Sequence, residues 1–179
     1  MAKSDSFFIR AGVTTNAGTY VQTEIDLGSF VNLGVSKSTL LKIHNISVQY
    51  ADSDDVGDRI SSDSGNMIAF QLTTQTQSDL VYATDKSLVS SGALQMYNGV
   101  IAEDGSAAAD YATAFVTQDM DVAPQAWTNG YLVGVDSMFL ATKAVGAITS
   151  GNVTVSIVLE CTLESATQAN SVALALSQQ

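Results

Sequence analysis

The chain has 179 residues, 18 acidic against seven basic for a net charge of -11, 46% hydrophobic residues and a single proline, Pro124. No Lys/Arg cluster exists to hold phosphates, so nucleic acid and anionic lipid are not expected as direct partners, and the apolar content is that of a globular rather than a disordered chain. Length and composition fit one globular domain over residues 1–179, and a lone cysteine, Cys161, rules out an intrachain disulfide.

Aspartates outnumber glutamates fourteen to four. This acidic, lysine-poor, Thr/Ser/Val-rich composition fits either a protein held soluble in concentrated salt or an ordinary acidic protein. Phe7, Phe8 and Ile9 make too short an apolar run for a signal peptide, and nothing approaches the ~20 residues of a membrane-spanning helix. Synthesis in the cytoplasm is the expectation.

Phe7, Ile9, Ala11 and Val13 alternate with Phe8, Arg10 and Gly12, predicting a first strand that ends at the turn Thr14–Gly18. Val21, Thr23, Ile25 and Leu27 against Gln22, Glu24 and Asp26 predict a second. From Leu40 to Tyr50 the apolar parity switches: Leu41 and Ile43 share one side, Ile46, Val48 and Tyr50 the other. One extra residue produces that switch, so a β-bulge or bend is expected at His44 and Asn45. An acidic loop spans Ala51–Gly65. Ile68, Phe70 and Leu72 mark the fourth strand, Leu88–Tyr97 the fifth, and a loop from Ala102 to Asp110 precedes a short sixth at Thr113–Thr117. Tyr131, Val133, Val135, Phe139 and Ala141, against Leu132, Gly134, Asp136, Met138 and Thr142, predict one long seventh strand. The eighth, Asn152–Leu163, alternates almost without fault: Val153, Val155, Ile157, Leu159, Cys161 and Leu163 face inward, and only Val158 puts an aliphatic among the outward polar residues. Ser165 with Gln168 reads as a capping box, followed by Ala169, Val172, Ala173 and Leu176 at helical spacing. A short carboxy-terminal helix on the sheet or on a neighbouring subunit is expected. The fold class is all-β: an eight-stranded antiparallel β-sandwich, best matched by a single jelly roll, with an immunoglobulin-like sandwich as the rival.

No reaction centre emerges. His44 is the only histidine, so nucleophile-and-base catalysis lacks its partner, and His44 with Cys161 cannot make up the three or four ligands of zinc. Against the calcium-loop template, Asp52 and Asp54 fill the first and third places, Gly57 the sixth and Asp63 the twelfth, but Val56 stands at the fifth. That loop is either a hard-cation site or simply solvated. Glu103, Asp104, Asp119, Asp121 and Asp136 offer carboxylates with nothing to fix a catalytic pair. The sequons Asn45-Ile46-Ser47 and Asn152-Val153-Thr154 lie on or beside strands. Trp127 with Tyr131 is either a sugar-stacking platform, an interface anchor or a loop aromatic packed under its own domain. No catalytic, cofactor or metal residue is assigned, and the chain is expected not to be an enzyme.

The strand Phe7-Phe8-Ile9-Arg10, the strand Thr23-Glu24-Ile25-Asp26-Leu27, and the closing strand Val153–Leu163 running into Ser171-Val172-Ala173-Leu174-Ala175-Leu176 together resemble single jelly-roll major capsid proteins. The likeness is to the smaller one of membrane-containing icosahedral viruses of halophilic archaea (sphaerolipovirus-like) and their thermophilic bacteriophage relatives. It is one of layout, size and acidic composition over most of the chain. The resemblance implies an upright jelly roll that joins copies of itself and a second, larger capsid protein into capsomers over an internal membrane, located in the virion and without catalytic residues or direct genome contact. A carbohydrate-binding jelly-roll module using Trp127, Tyr131 and the acidic loop, or a virion spike or accessory protein, are the alternatives.

Overall fold

The computed structural model describes residues 5–16, 18–33, 35–56, 60, 65–101, 110–146 and 151–178, the side chains of 97–101 and 110–115 excepted. Among the described residues nine strands occur in chain order: β1 (Phe7–Thr15), β2 (Tyr20–Asp26), β3 (Lys37–Asp52), β4 (Asn66–Thr73), β5 (Leu88–Ile101), β6 (Asp110–Val122), β7 (Tyr131–Val133), β8 (Ser137–Val145) and β9 (Val153–Thr167). A 3-10 turn (Pro124–Ala126) precedes β7, and one helix, α1 (Gln168–Ser177), follows β9.

The strands form two antiparallel sheets, one ordered β1-β9-β3-β7 and the other β2-β8-β4-β5-β6. With β6 set aside as a hairpin extension of β5, this is the two-sheet, four-plus-four interleaving of a jelly roll. The expected antiparallel jelly-roll sandwich is present, and the eight expected strands become nine because the expected seventh is two strands.

Strand β9 carries the design. Val153, Val155, Ile157, Leu159 and Cys161 are buried, while its backbone pairs with β1 on one side and with nearly all of β3 on the other. Facing it across the sandwich, Ile68, Phe70 and Leu72 of β4 and Met138 and Leu140 of β8 belong to the same core cluster. Each such side chain, once fully buried, contributes about 1.5–3 kcal/mol.

The expected irregularity in β3 is present: the β3–β9 register shifts between Ile43 and Asn45. This turns Ile46, Val48 and Tyr50 into the same core that Leu41 and Ile43 occupy. The long seventh strand is corrected. Its residues form β7 and β8, which lie in different sheets, and the inward parity changes from Val133 and Val135 to Met138, Leu140 and Ala144. A chain that crosses between layers must exchange its faces, and Gly134–Asp136 is where it does so. The short sixth strand is also longer than expected, because its pairing with β5 supplies partners that no alternation of its own announces.

Short β7 leaves the far half of β3 without a strand on that side. Glutamine side chains take its place. The Ile46 N–H donates to Gln125 Oε1 (3.3 Å) and Gln125 Nε2 donates back to the Ile46 carbonyl (3.2 Å). Gln118 Nε2, from β6 in the opposite sheet, donates to the Val48 carbonyl (3.2 Å). An amide presents one donor and one acceptor as a peptide group does, so it blunts an exposed edge without a charge.

Two substitutions test this packing. Gly130 sits at φ +64, and a Cβ there would fall within contact of the Ile43 carbonyl oxygen. Gly130→Ala is expected to cost at least about 1–3 kcal/mol in denaturant unfolding; an unchanged midpoint would contradict the close approach. The Tyr50 hydroxyl is buried with no hydrogen-bond partner among the described residues, and burial, with the Asp121 carboxylate adding to it, holds its pKa above the ordinary 10.0. The unfolded phenol therefore ionises first, so stability present below pH 10 is lost as pH rises above it. Tyr50→Phe should leave neutral-pH stability unchanged or raise it by about 1 kcal/mol and flatten the alkaline decline. A marked loss at pH 7 would mean that the hydroxyl has a partner.

Candidate functional site

Among the described residues, the titratable side chains singled out for chemistry do not converge. His44 is half-buried at the β3 bulge, where its Nε2 lies 2.8 Å from Thr162 Oγ1 on the neighbouring strand. Cys161 is fully buried between the sheets, and that burial, with Glu160 adding to it, pushes its thiol up to about 12. Such a thiol is not a nucleophile at neutral pH. Asp52 closes the end of β3, and its Oδ1 accepts the Asp54 N–H at 2.9 Å, a local turn that uses the carboxylate as a backbone cap. Gly57, Asp58 and Asp63 of the acidic loop lie outside the described residues, as do Glu103 and Asp104. Among the described residues no three His, Cys, Asp or Glu side chains gather as a metal site. Asp119 and Asp121 are exposed on β6, and Asp136 is exposed in the β7–β8 crossing. The two sequon asparagines sit where expected, Asn45 in β3 and Asn152 beside β9. Trp127 and Tyr131 do meet, with ring centroids 5.9 Å apart and tilted by 36°. Tyr131 is half-buried against the core and its phenol is raised by that burial; Trp127 keeps 42% of its surface in solvent.

Open hollows among the described residues include two on the flanks of the sandwich strands. One, of about 480 Å³, is lined by Thr74, Gln75, Thr76, Val135, Asp136, Ser137 and Phe139. The other, of about 550 Å³, is lined by Gly28, Ser29, Phe30, Val31, Asn32, Thr39 and Leu163. Neither brings titratable groups together.

The outer surfaces of the two sheets are more informative, because they are unlike each other. The sheet β2-β8-β4-β5-β6 is partly covered by its own β4–β5 connection. Gln71 Nε2 donates to the Val81 carbonyl (2.6 Å) and its Oε1 accepts the Val81 N–H (2.8 Å), while Lys143 pairs with Asp79 at 2.8 Å. Lys143 and the Leu80 N–H hold the Asp79 carboxyl below its usual range. The strands of this sheet carry five acids, Glu24, Asp26, Asp110, Asp119 and Asp121, against one base, Lys143.

The sheet β1-β9-β3-β7 is balanced: Arg10, Lys37 and Lys42 against Asp52, Glu160 and Glu164, with Lys42 and Glu164 paired at 2.7 Å. Its outward rows run Phe8–Glu160–Asn45, Arg10–Val158–Ser47, Gly12–Ser156–Gln49 and Thr14–Thr154–Ala51. Val158, the one break in the alternation of β9, sits near the centre of this face. Phe8 is 55% exposed beneath the Arg10 guanidinium, 5.8 Å from its ring centroid.

Helix α1 follows β9 and packs against β3 and β9, and its seating corrects the expected capping. The N-cap is Thr167, whose Oγ1 accepts the Asn170 N–H (3.4 Å). Ser165 instead remains in β9, opposite Thr39, because the β3–β9 ladder continues to Thr167. The residues at apolar helical spacing, Ala169, Val172, Ala173 and Leu176, are exposed. The helix is held through its other side. Ser171 Oγ donates to Ser38 Oγ (2.9 Å). Gln178 Nε2 donates to the Leu132 carbonyl (2.6 Å) and its Oε1 accepts the Gly134 N–H (2.9 Å). Its backbone carbonyl accepts Thr74 Oγ1 at 2.6 Å. Gly134 leaves room for Leu174, whose side chain would lie 3.1 Å from any Cβ at that position. Sequence periodicity identified the stripe but not its direction, which depends on where the chain beyond β9 meets the sheet.

No protein-family model matches this chain, and no curated protein matches it. Solved structures similar to it include human polyomavirus 12 VP1 in complex with 3'-sialyllactosamine, at 10% identity and a TM-score of 0.44 over 91% of this chain and 100% of that one. Trichodysplasia spinulosa-associated polyomavirus VP1 with sialylated glycooligomers gives 10% identity and 0.41 over 88% and 94%. The Merkel cell polyomavirus VP1 unassembled pentamer gives 8% and 0.37 over 89% and 95%.

Proposed function

We propose that this chain is a structural virion protein, a major capsid subunit whose jelly roll assembles with copies of itself and with a second capsid protein into an icosahedral shell. The observation that carries this reading is the asymmetry of its surface. In a chain of net charge -11, one sheet presents a charge-balanced outer face of Ser, Thr, Gly, Gln and Asn around Val158, and beside it a helix turns its aliphatic side outward. Small neutral groups cost less to desolvate than carboxylates or ammonium groups, so such a face suits repeated protein contacts. The location is the virion, an internal membrane beneath the shell is what the sequence resemblance implies, and residues 1–179 act as one domain with no catalytic step.

A carbohydrate-binding module is the second reading, favoured by the exposed ring of Trp127 beside Tyr131. Size-exclusion chromatography with light scattering separates the two. At low salt the like charge of the copies opposes assembly; at about 1 M the screening length falls to roughly 3 Å. A capsid subunit is expected to form discrete oligomers or shells as salt rises, visible by negative-stain electron microscopy. A monomer at every salt concentration that binds immobilised glycan through Trp127 would overturn the capsid reading.

A further inference from the structure

We infer that the outward stripe of α1, Val172 and Leu176 flanked by Ala169 and Ala173, is a contact surface for a second copy of this chain. The inference rests on the shell-subunit reading above and names the surface through which it acts.

The helix is inside out. A helix seated on a sheet ordinarily buries its aliphatic stripe, yet Val172 and Leu176 are 44% and 65% exposed, while Ser171 and Gln178 are buried. The seating does not need the stripe: Ser171 on Ser38, Leu174 against Gly134 and the contacts of Gln178 fix the helix from the other side. The apolar side is thereby held rigidly outward rather than left to fold back.

Charge selects the occupant. Between copies that each carry -11, contact is least opposed where carboxylates are absent or balanced. Helix α1 contains no charged residue, and the sheet it abuts carries equal numbers of acids and bases, whereas the opposite sheet carries five acids against one base. A bilayer surface is a poor fit, since an interfacial helix sets Lys and Arg on its polar face and aromatic anchors on the other, and α1 has neither. Ten residues span only about 15 Å. The stripe therefore supplies the dry centre of a contact, and the rest of the roughly 800 Å² per partner of a stable interface falls to the charge-balanced sheet that α1 contacts.

The test uses the full chain at a salt concentration where it assembles. Val172→Asp/Leu176→Asp is expected to weaken self-association at least tenfold by light scattering while keeping the parent melting temperature, since both side chains lie in solvent. If circular dichroism shows that the aspartates unseat the helix, Val172→Ser/Leu176→Ser, which removes apolar area without adding charge, is read in the same way. Assembly equal to the parent in the variant that keeps its helix overturns the inference and leaves the shell reading intact. So does an equal loss with Val56→Asp, because Val56 is as exposed (70%) but lies in the acidic loop. A parent chain that stays monomeric at every salt concentration defeats the shell reading, and the stripe with it.

Discussion

The pairing of β3 with β9 is the constraint on which the rest of this molecule depends. It runs from Lys37 opposite Thr167 to Asp52 opposite Val153, long enough to define one layer almost alone. Because side chains alternate across a strand, a ladder of that length holds one buried face only if register is kept throughout. The bulge at His44 is the single adjustment. It re-aims β3 so that Ile46, Val48 and Tyr50 rejoin the core that Leu41 and Ile43 begin, and it marks the point beyond which β7 no longer follows.

That departure creates an exposed edge, and the chain blunts it with amides rather than charges. Gln125 and Gln118 satisfy β3, and Gln178 satisfies β7 while tying α1 to it. Elsewhere Gln71 does the same for the β4–β5 connection. A lysine at these positions would protect an edge equally well. An amide does so without adding charge to this sheet, in a molecule that is strongly acidic elsewhere.

The candidate site was partly legible in the sequence. Val158 was visible as an aliphatic on a polar face. The capping pattern at Ser165 misled because its neighbours still had a strand to pair with: a continuing ladder outweighs a local helix start. The apolar spacing of Ala169, Val172, Ala173 and Leu176 described the helix correctly but not its orientation. Periodicity reports that residues share a side, not which side the sheet lies on.

What the sequence by itself determined is what local alternation can encode: the β character of most segments, the two-faced form of β1, β2 and β9, and the β3 bulge, whose parity switch is written in adjacent residues. Tertiary structure alone decided the split of residues 131–145 between two sheets, the full length of β6, the glutamine-capped edges and the outward turn of α1. Each of these depends on which distant strand lies alongside, and hydrogen bonds between residues as far apart as Ile46 and Gln125, or Thr74 and Gln178, leave no periodic trace in the chain that makes them.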